Sequence, residues 1–295
     1  MSETIALPGE IIDETGDFVN GHGTRQTSRG IVSTILGTAS LQNKFLSVKP
    51  LRTNYQGEVG DVVVGRVVEI VQHQWKIDVH SKLFAGIKLG AINLPGNELR
   101  IKDATDELNM RGFLQEGDLI SAEVQKVHAD GSLALHSRNL LYGRLENGIL
   151  VKVASSLIVR TKQHFFTFSF GVKSIFGLNG YIWLSPSSDI DINQQLREDY
   201  AGASFIPRTS NVLSDSSALP FSPFERGTRL AMARLRNILL LMNSEWEPIS
   251  PQVVEELFNF SHKQKLEVID LLNDQIGHKL LTDFRAYRLS NAAST

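Results

Sequence analysis

The chain has 295 residues, 42% hydrophobic and 21% charged, and its 30 basic against 32 acidic side chains leave a net charge of −2. That length suggests two or three modules of globular composition, not a collagenous, disordered or membrane-spanning chain, and the charge balance means that any nucleic-acid site must be local. Cysteine is absent, which excludes disulfides, thiolate metal sites and thiol nucleophiles and suits a reducing interior.

Residues 1–15 carry Glu3, Glu10, Asp13 and Glu14 without a basic start or apolar core, so no secretory signal is expected there. The longest apolar stretch, Ile238 to Met242, falls far short of the roughly 20 residues that span a bilayer; a soluble protein with no membrane partner is expected. Gly30 to Leu36 and Lys44 to Leu51 are short β-rich runs on either side of Gln42-Asn43, and they predict a hairpin in an N-terminal β domain of residues 1–53. Gly21-His22-Gly23-Thr24 has the composition of a loop that lets the backbone approach a neighbour closely.

Residues 54–144 show five candidate strands: Asp61 to Val71, Gln74 to His80, Phe84 to Leu89, Leu119 to Val127 and Ser132 to His136. In the second, Trp75, Ile77 and Val79 alternate with Lys76, Asp78 and His80, so one face, Trp75 included, belongs to a core and the other meets solvent. Asp130-Gly131 marks a tight turn between the last two strands. The third and fourth are joined by a long polar connection with a helical turn near Asp106 to Met110. Five strands with one long interruption fit an OB-fold barrel.

Residues 145–295 read as an α+β module. Gly148 to Val153, Ser155 to His164, Val172 to Phe176 and Tyr181 to Leu184 supply extended segments, with Asn179-Gly180 as a type I′ hairpin signal. The Ser-, Ala- and Asn-rich stretch of about 198–222 reads as a flexible insertion. Three helices close the chain: one opening at Ser222-Pro223-Phe224-Glu225 with a capping box, one at Ser250-Pro251, and one at Ser261-His262-Lys263-Gln264. Leu230, Leu235, Ile238, Leu266, Ile269 and Leu272 provide their apolar faces.

No phosphate-binding loop motif occurs, and the histidines lack metal-ligand spacing. Asp189 and Asp191 form the best acidic pair for a two-metal nuclease, but a pair alone lacks the further carboxylates that chemistry needs. Neither a catalytic residue, a metal nor a cofactor is therefore expected. Between Glu146 and Ser185 the basic residues Lys152, Arg160, Lys162 and Lys173 face the single acid Glu146. A phosphate backbone could lie along them, or they form an ordinary solvated face.

Across nearly its whole length the chain resembles the ribosomal-RNA-processing protein four family, cap subunits of the eukaryotic RNA exosome. The resemblance rests on Pro8-Gly9-Glu10, Gly21-His22-Gly23-Thr24, Val64-Gly65-Arg66, Asn93-Leu94-Pro95-Gly96, the run Gly112 to Val124, Leu135-His136-Ser137-Arg138 and Gly177-Leu178-Asn179-Gly180-Tyr181-Ile182-Trp183. It implies an N-terminal β domain, an OB-fold of the ribosomal S-one type and a KH domain. The implied role is that of a non-catalytic scaffold, which holds a ring of RNase PH-like subunits together beside other caps and guides single-stranded RNA toward associated exoribonucleases. It also implies residence in nucleus and nucleolus, with some in the cytoplasm, and ring contact through the loop holding His22 and Gly23. A stand-alone RNA-binding protein of translation or RNA chaperoning is the alternative.

Two departures from the general patterns bear on mechanism. Where S-one domains carry two phenylalanines and a histidine as a stacking platform, the aligned positions hold His73, Lys76 and Lys88, which shifts the expected RNA contacts toward phosphates held by Arg66, His73, Lys76, Lys88, Arg160 and Lys162. The exposed GXXG loop of KH domains is replaced by Gly177-Leu178-Asn179-Gly180 inside a hairpin. Asn179 and Gly180 are expected to shape that turn and not to clamp RNA.

Overall fold

The computed structural model describes residues 4–13, 18–51, 54–92, 104–138, 141–187 and 225–292. Asp189, Asp191, the 198–222 insertion, Asn93 to Gly96 and the proposed cap at Ser222 to Phe224 lie outside the described residues. The chain divides into two compact units, Met1–Asn54 and Tyr55–Thr295.

The first unit consists of β1 (Ile5–Ala6), β2 (Ile11–Asp13), β3 (Val19–Asn20), β4 (Thr24–Thr27), β5 (Gly30–Ser33), β6 (Gly37–Gln42) and β7 (Phe45–Pro50). They form two small sheets, ordered β1-β6-β7-β3 and β2-β5-β4. The hairpin at Asn43 differs from the expected one. Residues 44–51 pair with β6, from Gly37↔Pro50 to Gln42↔Phe45, whereas Gly30–Ser33 pairs with β4 and β2 in the other sheet. The turn position itself is as read, with Asn43 in the left-handed region at φ 56, a conformation its short polar side chain tolerates.

In the second unit, β8 (Val62–Val71), β9 (Gln74–Asp78), β10 (Ala85–Ile92), β11 (Leu119–Val127) and β12 (Leu133–Ser137) close a barrel. The sheet runs β12-β10-β9-β8-β11, and β12 also pairs with β11. Closure of this kind with a parallel β10–β12 pair is the OB-fold topology. The alternation of β9 holds: Trp75, Ile77 and Val79 are buried, and the Trp75 indole donates to the Leu114 carbonyl at 3.2 Å. Two short helices, α1 (Ala104–Leu108) and α2 (Met110–Phe113), lie within the β10–β11 connection, and α2 buries Met110 and Phe113. β13 (Gly143–Leu145) extends the sheet beyond β11.

The KH half is a sheet ordered β14-β17-β16-β15, from β14 (Ile149–Lys152), β15 (Phe165–Thr167), β16 (Val172–Phe176) and β17 (Tyr181–Pro186). Ser155 to His164 is not a strand. It opens with a 3-10 turn at Ser155–Leu157 and makes only an isolated bridge, Ile158↔Ile249. Helices α3 (Arg226–Ser244), α4 (Pro251–Lys263) and α5 (Asp274–Ala292) complete the unit. Leu235, Ile238, Leu239 and Leu257 are fully buried in one core with Ile182 and Leu184.

Helix starts match the sequence at one of three places. Ser250 caps α4, accepting from the Val253 amide with Pro251 in the first turn. Glu225 sits at the cap of α3 instead of closing a box inside it. Ser261 lies inside α4, buried, its hydroxyl donating to the Phe258 carbonyl at 2.8 Å, and the final helix starts later, at Asp274. Ile269 and Leu272 are consequently exposed.

Candidate nucleic-acid interface

A groove of about 970 Å³ runs over the barrel wall made by β9, β10, β12 and the end of β11. Among its outward positions Gly86, Gly90 and Ala134 carry little or no side chain, Lys88 stands between the two glycines on β10, Lys76 stands opposite Gly86 on β9, and Lys126 and Arg138 also line it. Small residues at outward positions let a flat polymer approach the sheet, and cations set among them suit a phosphodiester backbone. Lys76 is half-exposed and pairs with Glu69 at 2.7 Å, while Lys88 is exposed. Phe84, 52% exposed, also lines the groove. An aromatic face is therefore available, and the expected replacement of stacking by charge is incomplete.

Lys126 and Phe84 escaped the sequence reading for different reasons. A register shift between Val124 and Lys126 in the β11–β12 pairing sets the strand's alternation aside at Lys126, and such bulges leave no signal in residue order. Phe84 stands just before β10, where alternation is not yet established.

The other proposed contacts scatter. His73 occupies the two-residue β8–β9 turn, and its Nδ1 lies 3.2 Å from Glu107 on α1. Arg66 is exposed on β8, with its guanidinium donating to the Gly117 carbonyl at 3.1 Å. Lys162 is exposed in the loop before β15. Arg160 turns to the barrel instead: one nitrogen reaches Asp61 Oδ1 at 2.8 Å and the other Glu58 Oε2 at 2.9 Å. Asp61 is buried, and its second oxygen accepts from the Tyr55 hydroxyl at 2.7 Å. Burial, followed by this hydrogen bond to an acid, pushes the Tyr55 hydroxyl pKa above its ordinary value. Arg160 thus joins the KH half to the barrel through a buried carboxylate.

Gly177, Asn179 and Gly180 form the β16–β17 turn, closed by the Gly180 amide on the Gly177 carbonyl at 3.1 Å and the Gly177 amide on the Tyr181 carbonyl at 3.0 Å. The turn is not type I′, because only Gly180, at φ 90, has positive φ. A Cβ at Gly180 would meet the Val153 carbonyl at 2.3 Å. Asn179 is completely buried. Its Oδ1 accepts from the Val64 amide at 3.3 Å, and its Nδ2 donates to the Val64 and Val79 carbonyls at 2.7 and 3.0 Å. β9 ends just before Val79, and the Asn179 amide takes the place of the missing strand, satisfying backbone groups that would otherwise be buried unpaired. All four residues of this turn are buried, and it packs against the barrel. Beside it, Tyr181 and Trp183 pack on Val64.

In the N-terminal unit, His22 is exposed and its carbonyl accepts from the Val48 amide at 2.9 Å. A Cβ at Gly23 would lie 2.7 Å from both Ile35 Cδ1 and the Val48 carbonyl, so the loop is pressed onto β7, as the sequence suggests.

The family model described as "RRP4, S1 domain" matches residues 54–126, and that of the KH domain matches residues 148–190. The exosome complex component RRP4 of Mus musculus is 37% identical over 282 residues, spanning 95% of this chain and 89% of its own length. The Saccharomyces cerevisiae protein of that name is 46% identical over 188 residues, 64% of this chain and 52% of its own length. A Caenorhabditis elegans homolog is 47% identical over 184 residues, 62% of this chain and 61% of its own length. With a barrel closed as an OB-fold, a KH sheet locked to it by Asn179, and identity to the mouse protein extending over nearly the entire length of both chains, this chain belongs to the RRP4 family of exosome complex components.

Proposed function

We propose that the chain is a non-catalytic RNA-binding cap subunit of the RNA exosome. It holds the RNase PH-like ring together with the other caps and passes single-stranded RNA to associated exoribonucleases for 3′-to-5′ processing, rRNA maturation and turnover. The groove over β9, β10 and β12 carries this reading: it has glycine and alanine at outward positions, four cations and an exposed aromatic residue. Phosphate contacts position a polymer without reading its sequence, which suits a conduit for many RNAs. Assembly with exosome subunits follows from the family, and residence in nucleus, nucleolus and cytoplasm follows from the substrates such a complex handles.

Replacing Lys76, Lys88 and Lys126 by glutamate in the full chain is expected to weaken binding of oligouridylate. The slope of log K against log salt should flatten by about 0.7 for each phosphate that is no longer neutralised. Parent affinity in the triple variant would refute the groove. Purified chain is expected to leave labelled RNA intact with or without divalent metal and phosphate, and a tagged chain should co-purify ring subunits. Degradation that tracks the purified chain would overturn the non-catalytic reading, and an exclusively monomeric profile in cell extract would favour a stand-alone protein.

A further inference from the structure

Where barrel and KH sheet meet, a row of side chains crosses four strands. Arg66 on β8 stands opposite Asp78 on β9 in the ladder, His80 follows just past the end of β9, and Tyr181 on β17 stands opposite Lys152 on β14. The His80 ring stacks on the Tyr181 ring with centroids 5.5 Å apart and planes 9° from parallel, and Lys152 Nζ lies 5.0 Å from the Tyr181 centroid. Tyr181 is buried beneath them, whereas His80, Lys152 and Arg66 are exposed.

His80 is held there at a backbone cost. Its φ is 57, in the left-handed region that few non-glycine residues occupy and where histidine is enriched along with Asn and Asp, and its amide is tied to Asp78 Oδ1 at 2.9 Å. The one acid in the row, Asp78, is engaged by that amide and by the Tyr181 hydroxyl at 3.4 Å. What remains toward solvent is an imidazole fixed from behind, with a lysine and an arginine in the same row.

We infer that this seam is a second RNA-contact site, in which a nucleobase stacks on His80 while Lys152 and Arg66 hold the adjoining phosphates. The inference rests on the reading of the chain as an RNA-binding protein. A fixed ring flanked by cations is the arrangement that binds single strands without base preference. It also lies next to the turn that holds Asn179, so it gives the KH half an exposed contact beside a turn that is itself buried.

The test uses the full chain and a fluorescent oligouridylate of about a dozen nucleotides, with binding measured across a salt series. His80→Ala combined with Lys152→Gln is expected to lose about tenfold in affinity and to flatten the salt slope by about 0.7. His80→Phe combined with Lys152→Arg, which keeps ring and charge, should bind like the parent and shows whether an affinity loss is merely one of folding. Parent affinity and slope in the first pair, while Lys88→Glu weakens binding, would overturn the seam and leave the groove standing. If Lys88→Glu also binds normally, both readings fail. Unchanged RNA binding with reduced co-purification of ring subunits would make the seam a protein contact and likewise overturn the proposal.

Discussion

Asn179 makes its three hydrogen bonds from a position with no solvent exposure, so its removal cannot be compensated by water at the surface. Asn179→Ala should destabilise the Tyr55–Thr295 unit by at least about 3 kcal/mol, since it leaves three backbone groups unpaired and each costs roughly 1–3 kcal/mol; chemical denaturation measures the loss. The motif Gly-Leu-Asn-Gly was visible in the sequence, but its destination was not, because Val64 lies 115 residues away and no local pattern encodes a partner at that distance. Arg160 shows the same limit: a cation in a basic stretch looked available for phosphate, and only the fold reveals Asp61 beside it. The buried phenols give a pH expectation. Tyr55 and Tyr142 have hydroxyl pKa values raised by burial and then by their bonds to Asp61 and Glu123. Above about pH 10 the unfolded chain releases these protons while the folded chain keeps them. Stability present below that pH is therefore lost as pH climbs further, and Tyr55→Phe should flatten the decline in melting temperature on the alkaline side.

At the scale of elements, strands were legible wherever one face is core and the other solvent. β9 and β12 alternate and fall within a residue or two of their expected bounds, whereas β8 and β11 do so although Val62 to Gly65 and Ile120 to Ala122 are buried without alternation, their apolar and β-branched content between turn residues marking them instead. Pairing was less legible. In the N-terminal unit the strands are short, and which run meets which depends on contacts between sheets, so β5 pairs away from the hairpin expected for it. Helix caps divide in the same way. Ser250 caps because Pro251 can only begin a helix, whereas Ser261 is equally cap-competent in isolation but is carried inside α4 by the buried apolar stripe of Val254, Leu257 and Phe258. Ser250→Ala should cost about 1 kcal/mol, while Ser261→Ala removes no cap and should leave the end of α4 in place by amide exchange. The β8–β9 turn offers an opposite test. Gln72 and His73 both sit at positive φ, 51 and 59, in a two-residue loop that favours Asn-Gly. Replacing the pair by Asn-Gly should raise stability by roughly 1 kcal/mol, with removal of the exposed His73–Glu107 pair cancelling little of the gain.

For the whole molecule, the barrel and the KH sheet share one continuous core and are tied by Asn179 and by Arg160 to Asp61. Residues Tyr55–Thr295 should accordingly unfold in a single transition, and a double variant Asn179→Ala, Arg160→Ala should split it into two heat-absorption peaks. Net charge says little about such a molecule. A chain at −2 overall still gathers cations along one groove, and of these the sequence pointed to Lys76 and Lys88 but not to Lys126 or Arg138. The surrogate strand supplied by Asn179 also constrains synthesis. When the ribosome has released β12 the barrel has all five of its strands, yet the backbone groups of Val64 and Val79 wait for a turn that is still to be translated. A nascent chain paused before Gly177 should therefore be held open and sensitive to protease, becoming resistant only once that turn emerges.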